Sequence, residues 1–283
     1  MELTVVICTY RRPELLDGCL ASLESSLRQG FRTLVVDNAG TAACRAVAER
    51  HGATYVHEPS TGLSHARNRG WREATTEWLL YLDDDARLRP DTIDRLWGAA
   101  SVGDYAAAGG GYDHCFASPP PEWLRRYYRA GVRPGDYLLG GLLLVRRAAC
   151  AALGGFDPAL GMRGERTGYA EENEFQDRLR AAGYRLLPVP EAVMDHLVHP
   201  RKYKLRQRIG AMYAHGRDGV TSGESKFRTV AAALVAMVRT LVVTLPVAVV
   251  RWLLRRDFYW QNAVHSVVGQ WAFSLGRLGV GLR

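Results

Sequence analysis

Short runs of β-branched and aliphatic residues alternate with helical stretches through the first third of the chain, and this alternation constrains the fold more than any other feature. Such a rhythm is typical of βαβ units and predicts a mostly parallel sheet with helices on its faces. We therefore expect an α/β fold. The predicted strands cover 3–8, 33–37, 54–57 and 77–82, and the predicted helices cover 13–28, 44–52 and 64–74.

Polar side chains stand at the carboxyl ends of three of these strands. Thr9 follows the first strand, Asp37 ends the second, and Asp83–Asp85 follow the fourth. Ligands of open α/β sheets bind in the crevice beyond the carboxyl ends of the strands, so these residues are expected to converge there.

Three consecutive aspartates repel one another unless a cation or hydrogen-bond donors compensate their charge. Carboxylate oxygens suit Mg²⁺ or Mn²⁺, which bind a diphosphate well and neutralise its charge. The pattern favours a metal clamp at 83–85, and the alternative is a solvated turn that caps the following helix.

The middle of the chain predicts a long connection and then a second α/β segment. Residues 109–136 are rich in Gly, Pro and aromatic residues, as is typical of a mobile or binding segment. Residues 140–161 predict a strand, a short helix and a glycine turn. A helix with an acidic start follows at Glu171, and Gly183 ends it before another strand.

Charge divides the chain into two parts. Residues 201–283 contain 14 Lys/Arg and three Asp/Glu, a net charge of +11, which leaves −3 for residues 1–200 out of the total of +8. We therefore predict an α/β domain at 1–200 and a basic, apolar helical region at 201–283 that associates with a membrane or oligomerises.

The five cysteines form no C-x-x-C pair, which favours reduced thiols over a zinc site or a disulfide framework. The start, MELTVVICTY, reads as a first strand and not as a signal peptide. Both features predict a cytoplasmic protein.

Five motifs in the first 200 residues follow the order and spacing of a known family. They are VVICTYRRPELL, LVVDNAG, GLSHARNRGWREATTEWLLYLDDDARLRPDTI, GGFDPALG and EENEFQDRLRAAGYRLLPVPEAVMDH. Over about residues 3–200 the chain resembles the inverting family 2 glycosyltransferases of the GT-A fold. The resemblance implies a nucleotide-binding sheet, a catalytic domain at 1–200, a nucleoside diphosphate sugar donor, a hydroxyl acceptor and Mn²⁺ or Mg²⁺ as cofactor.

The resemblance also implies a donor site. Thr9 and Asp37 are expected to hold the nucleoside, and Asp83 to meet the ribose. Arg67 of the ARNRG segment is expected to face the nucleotide, with a surface helix residue as the equally weighted alternative. The predicted nucleotide-sugar site is completed by Tyr10, Arg11 and Asp84.

The metal is expected on the last aspartate and on a histidine after the last strand. Asp85 corresponds to the metal-binding aspartate of the family and His196 to a histidine that many relatives use as a ligand. A carboxylate with an imidazole is a sensible set for Mn²⁺. His199 lies close by as a competitor, and a lone histidine is often structural.

The general base is expected at the start of the helix that begins near Glu171. Relatives usually have Glu-Asp there, whereas this chain has Glu171-Glu172. Alignment on Phe175 places Glu172 at the position of the family's base, and helical spacing places Glu172 with the apolar stripe that faces the sheet. Glu171 is predicted on the other face, where the helix dipole favours an acid.

The acceptor side is predicted with less detail. The resemblance places Asp157 of GGFDPALG near the acceptor, with a tight turn as the equally plausible alternative. Trp123 could stack on a sugar face, although aromatics at its spacing are more often packing residues. Glu171 is assigned to this side as well.

These features predict an inverting, metal-dependent glycosyltransferase that acts on a hydroxyl acceptor, with a lipid-linked saccharide as one option. Two alternatives stay open: a sugar-1-phosphate nucleotidyltransferase, and a non-catalytic protein that binds a membrane or a polyanion. The first normally needs a glycine-rich phosphate loop, which CTYRRPELL lacks. No nucleic acid partner is expected.

Residues 230–254 are strongly apolar, but Arg239 splits the run and Pro246 is expected to kink a helix. A central arginine costs about 2.5–3.5 kcal/mol on insertion scales and argues against a clean single span. The flanking basic and aromatic residues favour helices in the headgroup region on the cytoplasmic face. A soluble helical subdomain or a homo-oligomer interface is the alternative. The flanking residues are Arg228, Arg251, Trp252, Arg255, Arg256, Phe258, Tyr259 and Trp260.

Overall fold

A computed structural model describes residues 2–27, 29–128, 130–219 and 226–279. The chain divides into two compact units. The first, here called the sheet unit, comprises 1–115, 130–166 and 171–197, and the second, here called the helical unit, comprises 116–129, 167–170 and 198–283. A domain boundary at residue 200 stays a prediction, since the helical unit also takes up two short segments from the predicted first domain.

The sheet unit is built on one mixed sheet, in which eight strands lie within the described residues in the order β3-β2-β1-β4-β7-β6-β8-β5. The strands are β1 (Leu3–Thr9), β2 (Arg32–Asp37), β3 (Thr54–His57), β4 (Trp78–Asp83), β5 (Ala86–Leu88), β6 (Ala107–Phe116), β7 (Leu142–Arg146) and β8 (Leu186–Val198).

The predicted βαβ rhythm holds for β1–β4, which pair in parallel. Their register pairs Thr9 with Asp37 and Cys8 with Asp83, so the three predicted strand ends meet at one edge of the sheet. Beyond β4 the sheet turns antiparallel, because β7 pairs antiparallel with both β4 and β6.

Helices cover both faces of this sheet, which explains why β1 reads as one continuous apolar run. Val5 and Ile7 pack with the helices of one face, and Val6 and Cys8 with those of the other. Two short 3₁₀ helices lie at Arg126–Tyr128 and Pro200–Tyr203. The α-helices are α1 (Pro13–Glu24), α2 (Ala42–Arg50), α3 (Leu63–Glu73), α4 (Thr92–Ala100), α5 (Glu122–Arg125), α6 (Arg147–Leu153), α7 (Glu171–Ala181), α8 (Leu205–Asp218), α9 (Lys226–Arg239), α10 (Leu245–Leu254) and α11 (Trp260–Arg277).

Strand β6 corrects the prediction of an unstructured connection after residue 100. Its sequence, AAGGGYDHCF, has no β-branched residue and three glycines, so local propensity predicts a loop. The three glycines instead reflect close packing, because a side chain at their positions would collide with neighbouring segments. A Cβ on Gly109 would lie 2.7 Å from Leu138, one on Gly111 would lie 2.6 Å from the Val132 carbonyl oxygen, and one on Gly110 would meet the Ala192 carbonyl oxygen.

Helix α1 ends at Glu24, four residues before the predicted end, and the predicted end at Arg28 lies outside the described residues. Asp91 is the N-cap residue of α4. All five cysteines lie in the described part and are free thiols, as predicted.

The helical unit packs α11 against α8, α9 and α10. The approach of α8 and α11 depends on glycines: a Cβ on Gly216 would meet the Phe273 carbonyl oxygen, and one on Gly276 would meet the Tyr213 carbonyl oxygen. One helical run, Thr229–Leu254, is long and apolar enough to cross a membrane by length and composition. A π-helical turn at Thr240–Thr244 directly precedes Leu245 and Pro246, where the proline lacks the N–H that a regular α-helix would use.

Candidate active site

The three aspartates occupy different environments at the end of β4. Asp84 is fully buried, with Oδ2 accepting a hydrogen bond from Thr9 Oγ1 at 2.7 Å and Oδ1 lying 2.8 Å from the Arg12 guanidinium. Burial raises the pKa of Asp84 to about 7, against the opposing charge of Arg12. Asp84 therefore anchors the end of β4 to the end of β1, and the Thr9 hydroxyl donates its proton to this hydrogen bond.

Asp83 directs a partly exposed carboxylate away from this anchor. Its Oδ1 lies 3.8 Å from the Arg67 guanidinium. A Cβ on Gly141 would lie 2.5 Å from its Oδ2, so the glycine leaves the space that the carboxylate fills. Burial and the neighbouring Asp85 raise the pKa of Asp83.

Asp85 and His196 face each other, with Asp85 Oδ1 3.4 Å from His196 Nε2. Antiparallel pairing produces this contact, because the register places His196 opposite Ala86, the next residue after Asp85. Both side chains are mostly buried, and His196 Nδ1 has no hydrogen-bond partner among the described residues. His199 instead accepts a hydrogen bond from the Arg201 N–H and caps its own 3₁₀ helix.

The Asp85–His196 pair fits a divalent cation that shares a diphosphate. No group of three His, Cys, Asp or Glu side chains with metal-binding geometry occurs in the part of the chain that the structure describes. A cation bound together with a nucleotide needs only one or two protein ligands, because phosphate oxygens and water complete its shell. Carboxylate and imidazole donors are also suitable for Mn²⁺.

Arg67 is a buried residue, so its alternative as a surface helix residue is wrong. Its Nη1 donates to Glu171 Oε1 at 2.8 Å and its Nη2 to the Gly140 carbonyl oxygen at 3.2 Å. Burial alone would lower the pKa of Arg67, but the carboxylates of Glu171 and Asp83 raise it. Arg67 therefore links the aspartate cluster to the start of α7.

The helical register predicted for α7 is wrong for Glu171. The side chain of Glu171 is buried and lies on the same face as Phe175 and Leu179, whereas Glu172 is partly exposed. Burial raises the pKa of Glu171 to about 7, with Arg67 opposing the shift and Glu172 adding to it. Glu171, which the sequence analysis places where only the helix dipole favours an acid, is the residue that forms the buried ion pair with Arg67.

Two non-glycine residues with left-handed backbone flank this region. Arg11 has φ +56° and Ala170, directly before Glu171, has φ +76°. Such conformations cost about 1–3 kcal/mol each and concentrate at functional sites. At the first, the turn exposes Arg11 beside the ring of Tyr10 and leaves Arg12 to face the aspartates.

Asp37 is completely buried at the end of β2. Its Oδ1 accepts from the Ala39 N–H at 2.9 Å, and its Oδ2 accepts from the Thr41 N–H at 2.7 Å and the Tyr55 hydroxyl at 3.0 Å. With a fourth bond from the Thr41 hydroxyl at 3.3 Å, these bonds hold the loop after β2 and tie it to Tyr55 of β3. The predicted contact of Asp37 with a nucleoside stays a prediction.

Helix α3 organises the segment that carries Asp157. Asn68 donates to the Phe156 carbonyl oxygen at 2.7 Å and accepts from the Phe156 N–H at 2.8 Å, both in the interior. Asp157 itself accepts from the Ala159 N–H at 2.8 Å, the tight turn given as its alternative role. The ARNRG and GGFDPALG motifs are therefore two halves of one structural unit.

Trp123 does not present an open face to a sugar. Its side chain is buried in the helical unit, edge-on to Tyr127 at 6.3 Å between ring centroids, and its carbonyl oxygen accepts from Asn262. The packing role is therefore the one observed.

Sequence reasoning missed three contributors to this site. Arg12 reaches Asp84 and Asp85 at 2.8 and 3.8 Å, whereas the prediction named only Arg11. Gly140 and Gly141 receive Arg67 and Asp83, since a Cβ on either glycine would lie within 3 Å of those side chains. The pair of glycines directly before β7 was the available signal, because glycine before a strand often marks a close approach.

Comparisons with known proteins bear on the family and the fold of the chain. A model of "Glycosyl transferase family 2" matches residues 4–154, just over half of the chain. The chain is 29% identical to the succinoglycan biosynthesis protein ExoM of Rhizobium meliloti over 77% of this chain and 75% of that protein. It is 27% identical to the N-acetylglucosaminyl-diphospho-decaprenol L-rhamnosyltransferase of Mycobacterium tuberculosis over 70% of this chain and 76% of that one.

The fold has a solved counterpart. A mannosyltransferase from Pyrobaculum calidifontis, solved in complex with GDP-Man and Mn²⁺, superposes with a TM-score of 0.65 over 95% of this chain and 85% of its own, at 18% identity. The mixed α/β sheet flanked by helices is thus GT-A-like, as the sequence predicts. The matched family model, the related glycosyltransferases and the shared fold together establish that this chain is an enzyme belonging to glycosyl transferase family 2.

Proposed function

We propose that this glycosyltransferase moves a sugar from a nucleoside diphosphate sugar to a hydroxyl acceptor with inversion, using a divalent cation and Glu172 as general base. One observation carries the proposal: Asp85 lies 3.4 Å from His196, and the neighbouring Asp83 is linked through Arg67 to Glu171 at the start of α7. This arrangement supports a donor diphosphate on one side and a base on the other.

The donor site is assigned to the edge where β1, β2 and β4 end. Thr9, Asp37 and Asp84 shape it from inside through their buried hydrogen bonds. Asp83, with its partly exposed carboxylate, is available to a ribose hydroxyl. The same edge is bordered by Tyr10, Arg11 and Arg12, and the two guanidinium groups favour a diphosphate. The GDP-Man of the solved mannosyltransferase supports a nucleotide-sugar donor here.

Asp85 and His196 are the residues that would hold the cation, as Mn²⁺ or Mg²⁺. When bound, the cation supplies charge compensation for the diphosphate leaving group. The Mn²⁺ in the solved mannosyltransferase supports a divalent cation as cofactor. Arg12 adds positive charge to the same cluster from the protein itself, 3.8 Å from Asp85.

Glu172 is favoured over Glu171 as the base for a physical reason. A general base must come within hydrogen-bond reach of the acceptor hydroxyl, and Glu172 is partly exposed whereas Glu171 is buried. Glu171 also spends one oxygen on Arg67. We assign Glu171 a positioning role, in which it fixes Arg67 and thereby the first turn of α7.

The acceptor is proposed to be a lipid-linked saccharide at the cytoplasmic face of a membrane. The Mycobacterium tuberculosis relative is named for a substrate in which a sugar is joined through diphosphate to decaprenol, and this name supports an acceptor of the same class. The apolar run Thr229–Leu254 supports work at a membrane surface. The turn of Asp157, which α3 holds through Asn68, is assigned to the acceptor side.

A screen of nucleotide sugars tests the proposal. Purified full-length protein is given GDP-, UDP- and dTDP-sugars with Mn²⁺, Mg²⁺ or excess chelator, and release of the nucleoside diphosphate is measured. We expect turnover with the matching donor, loss of turnover in chelator, and loss in Asp85→Ala. Asp104→Ala, which removes an exposed aspartate before β6, is the matched control and should keep full activity.

Full turnover in chelator or in Asp85→Ala would overturn the metal assignment. Release of pyrophosphate from a nucleoside triphosphate and a sugar phosphate would identify the nucleotidyltransferase alternative instead.

A further inference from the structure

In the helical run formed by α9, the π turn and α10, small residues are buried and large aliphatic residues are exposed, which is the reverse of the arrangement expected in water. Small residues face the rest of the helical unit: Thr229, Ala233, Thr240 and Ala248 are buried. Large aliphatic residues point outward, and Val235 and Val242 are each 68% exposed. In water the large residues should be buried, whereas small residues at helix contacts are typical of helices surrounded by lipid.

The π turn keeps the small residues on one side. Thr229, Ala233 and Thr240 follow one another at spacings of four and seven residues, which return to the same face of an α-helix. A π turn adds about one residue to the helix, so Ala248 follows Thr240 by about seven helical positions and rejoins the same stripe. The observed burial of all four residues agrees with this register.

The exposed aliphatic residues cover a broad sector and not a narrow stripe. At about 100° per residue, Val235, Val238 and Leu241 lie from about 100° to about 220° around the helix from the buried stripe. All three are about half exposed or more. A second helix packed in a dimer covers one stripe, whereas a sector this broad fits a continuous apolar phase.

Two arginines mark the edge of that sector. Arg239 and Arg251 are exposed and twelve residues apart in sequence, which the π turn reduces to about eleven helical positions, or three turns. Both therefore lie on the same flank, between the apolar sector and the buried stripe. Arg255 and Arg256 follow at the end of α10, with exposed Trp252 and Trp260 beside them.

We propose that α9–α10 lies in the plane of an anionic bilayer, with its apolar sector among the acyl chains and its arginine flank at the lipid phosphates. This inference deepens the membrane association proposed above. A transmembrane orientation would place Arg239 within the hydrocarbon, whereas the in-plane orientation keeps both arginines at headgroup depth. The side chain of Arg228 lies outside the described residues and is not needed for this geometry.

Vesicle flotation tests the binding surface. Full-length protein is mixed with vesicles of phosphatidylcholine alone or with phosphatidylglycerol. We expect binding that increases with the anionic lipid, a loss of about tenfold or more in Val242→Asp, and a loss of about fivefold in Arg251→Gln. The control Val102→Asp changes a valine of the sheet unit that is even more exposed than Val242, and this variant should bind as the parent does.

A depth measurement tests the orientation. Spin labels are placed at Val238→Cys or at Val250→Cys, in a chain that also carries Cys115→Ser, and their immersion depths are compared. These positions are twelve residues apart, which is about 18 Å along a helix axis. The in-plane helix predicts similar depths, and a difference approaching 18 Å would overturn it in favour of a span.

Equal flotation of the parent and Val242→Asp would overturn the proposal. It would also be overturned if the parent bound no vesicles and formed a dimer in lipid-free solution that Val242→Asp dissociates. Neither assay measures turnover. Their failure would therefore leave the proposed reaction standing, and failure of the donor screen would leave the membrane surface standing.

Discussion

Replacement of Arg67 by methionine should destabilise the sheet unit strongly, because Arg67 is the cation of a buried ion pair. The guanidinium is almost fully buried and lies 2.8 Å from Glu171 and 3.8 Å from Asp83. Methionine keeps an unbranched side chain in the same space but removes the charge. Breaking a buried pair by removing one partner costs about 3–5 kcal/mol.

The destabilisation should depend on pH, with a definite sign. The pKa of Glu171 is already raised to about 7, and Arg67 is the group that opposes this rise, so its removal raises the pKa further. A carboxyl group with a raised folded-state pKa contributes stability that is present below its unfolded-state pKa and is lost as pH rises through the folded-state pKa. Arg67→Met should therefore lose more unfolding free energy at pH 8 than at pH 5.5, by up to about 1.4 kcal/mol, because pH 8 lies only one unit above the pKa of about 7 in the parent protein.

Urea unfolding in mild detergent at pH 5.5 and pH 8 measures this effect. Arg69→Met is the matched control, because Arg69 lies two residues away on α3 and forms a part-exposed pair with Glu73 at 2.8 Å. Such pairs contribute about 0.5 kcal/mol or less, so the control should change little. The double variant Arg67→Met/Glu171→Gln should recover stability at pH 8. A loss below about 1 kcal/mol in Arg67→Met, or an equal loss at both pH values, would refute the buried-pair argument.

Three further predictions concern the site. Gly141→Ala should raise the donor KM, since a Cβ would lie 2.5 Å from Asp83 Oδ2, whereas Gly98→Ala in open space should leave steady-state kinetics unchanged. Unchanged donor KM in Gly141→Ala would separate Asp83 from the donor. His196→Asn should weaken Mn²⁺-dependent activation and His199→Asn should not, as Mn²⁺ titration of turnover would report; the reverse pattern would transfer the ligand role to His199. Asp37→Asn should lower the melting temperature, because one buried carboxylate oxygen that accepts hydrogen bonds becomes an amide NH₂ donor, at a cost of about 1–3 kcal/mol, and an unchanged melting temperature would contradict the role of Asp37 in holding the loop after β2.

The strand-end residues could be predicted because the signals that place them are local. Thr9, Asp37 and Asp83 each follow an apolar run whose period and length define a strand, and parallel pairing then aligns the strand ends. The contact between Asp85 and His196 required long-range pairing of β5 with β8, which the family resemblance supplied and the residue pattern alone did not.

The register of α7 could not be predicted from its own sequence. One apolar face fits Glu172 with Phe175 and Leu179, at positions i, i+3 and i+7. The same face also fits Glu171, which precedes Phe175 by four residues and Leu179 by eight. The choice depends on Arg67, a buried cation 104 positions away in sequence. The prediction missed strand β6 for a related reason. Its glycines are required by distant segments of the chain that pack against them, and local strand propensity does not reveal those contacts.

The most direct test of the account compares Glu172→Gln with Glu171→Gln and with Glu174→Gln, a part-exposed control on the same helix, in single-turnover assays with saturating donor. Glu172→Gln removes the proton acceptor and keeps the shape, so its rate should fall by about 10²–10⁴ with donor affinity unchanged. Glu171→Gln should keep a rate much closer to the parent's, since it still offers an oxygen to Arg67, and Glu174→Gln should keep the parent's rate. A near-parental rate in Glu172→Gln, together with an inactive and folded Glu171→Gln, would contradict the assignment of the base.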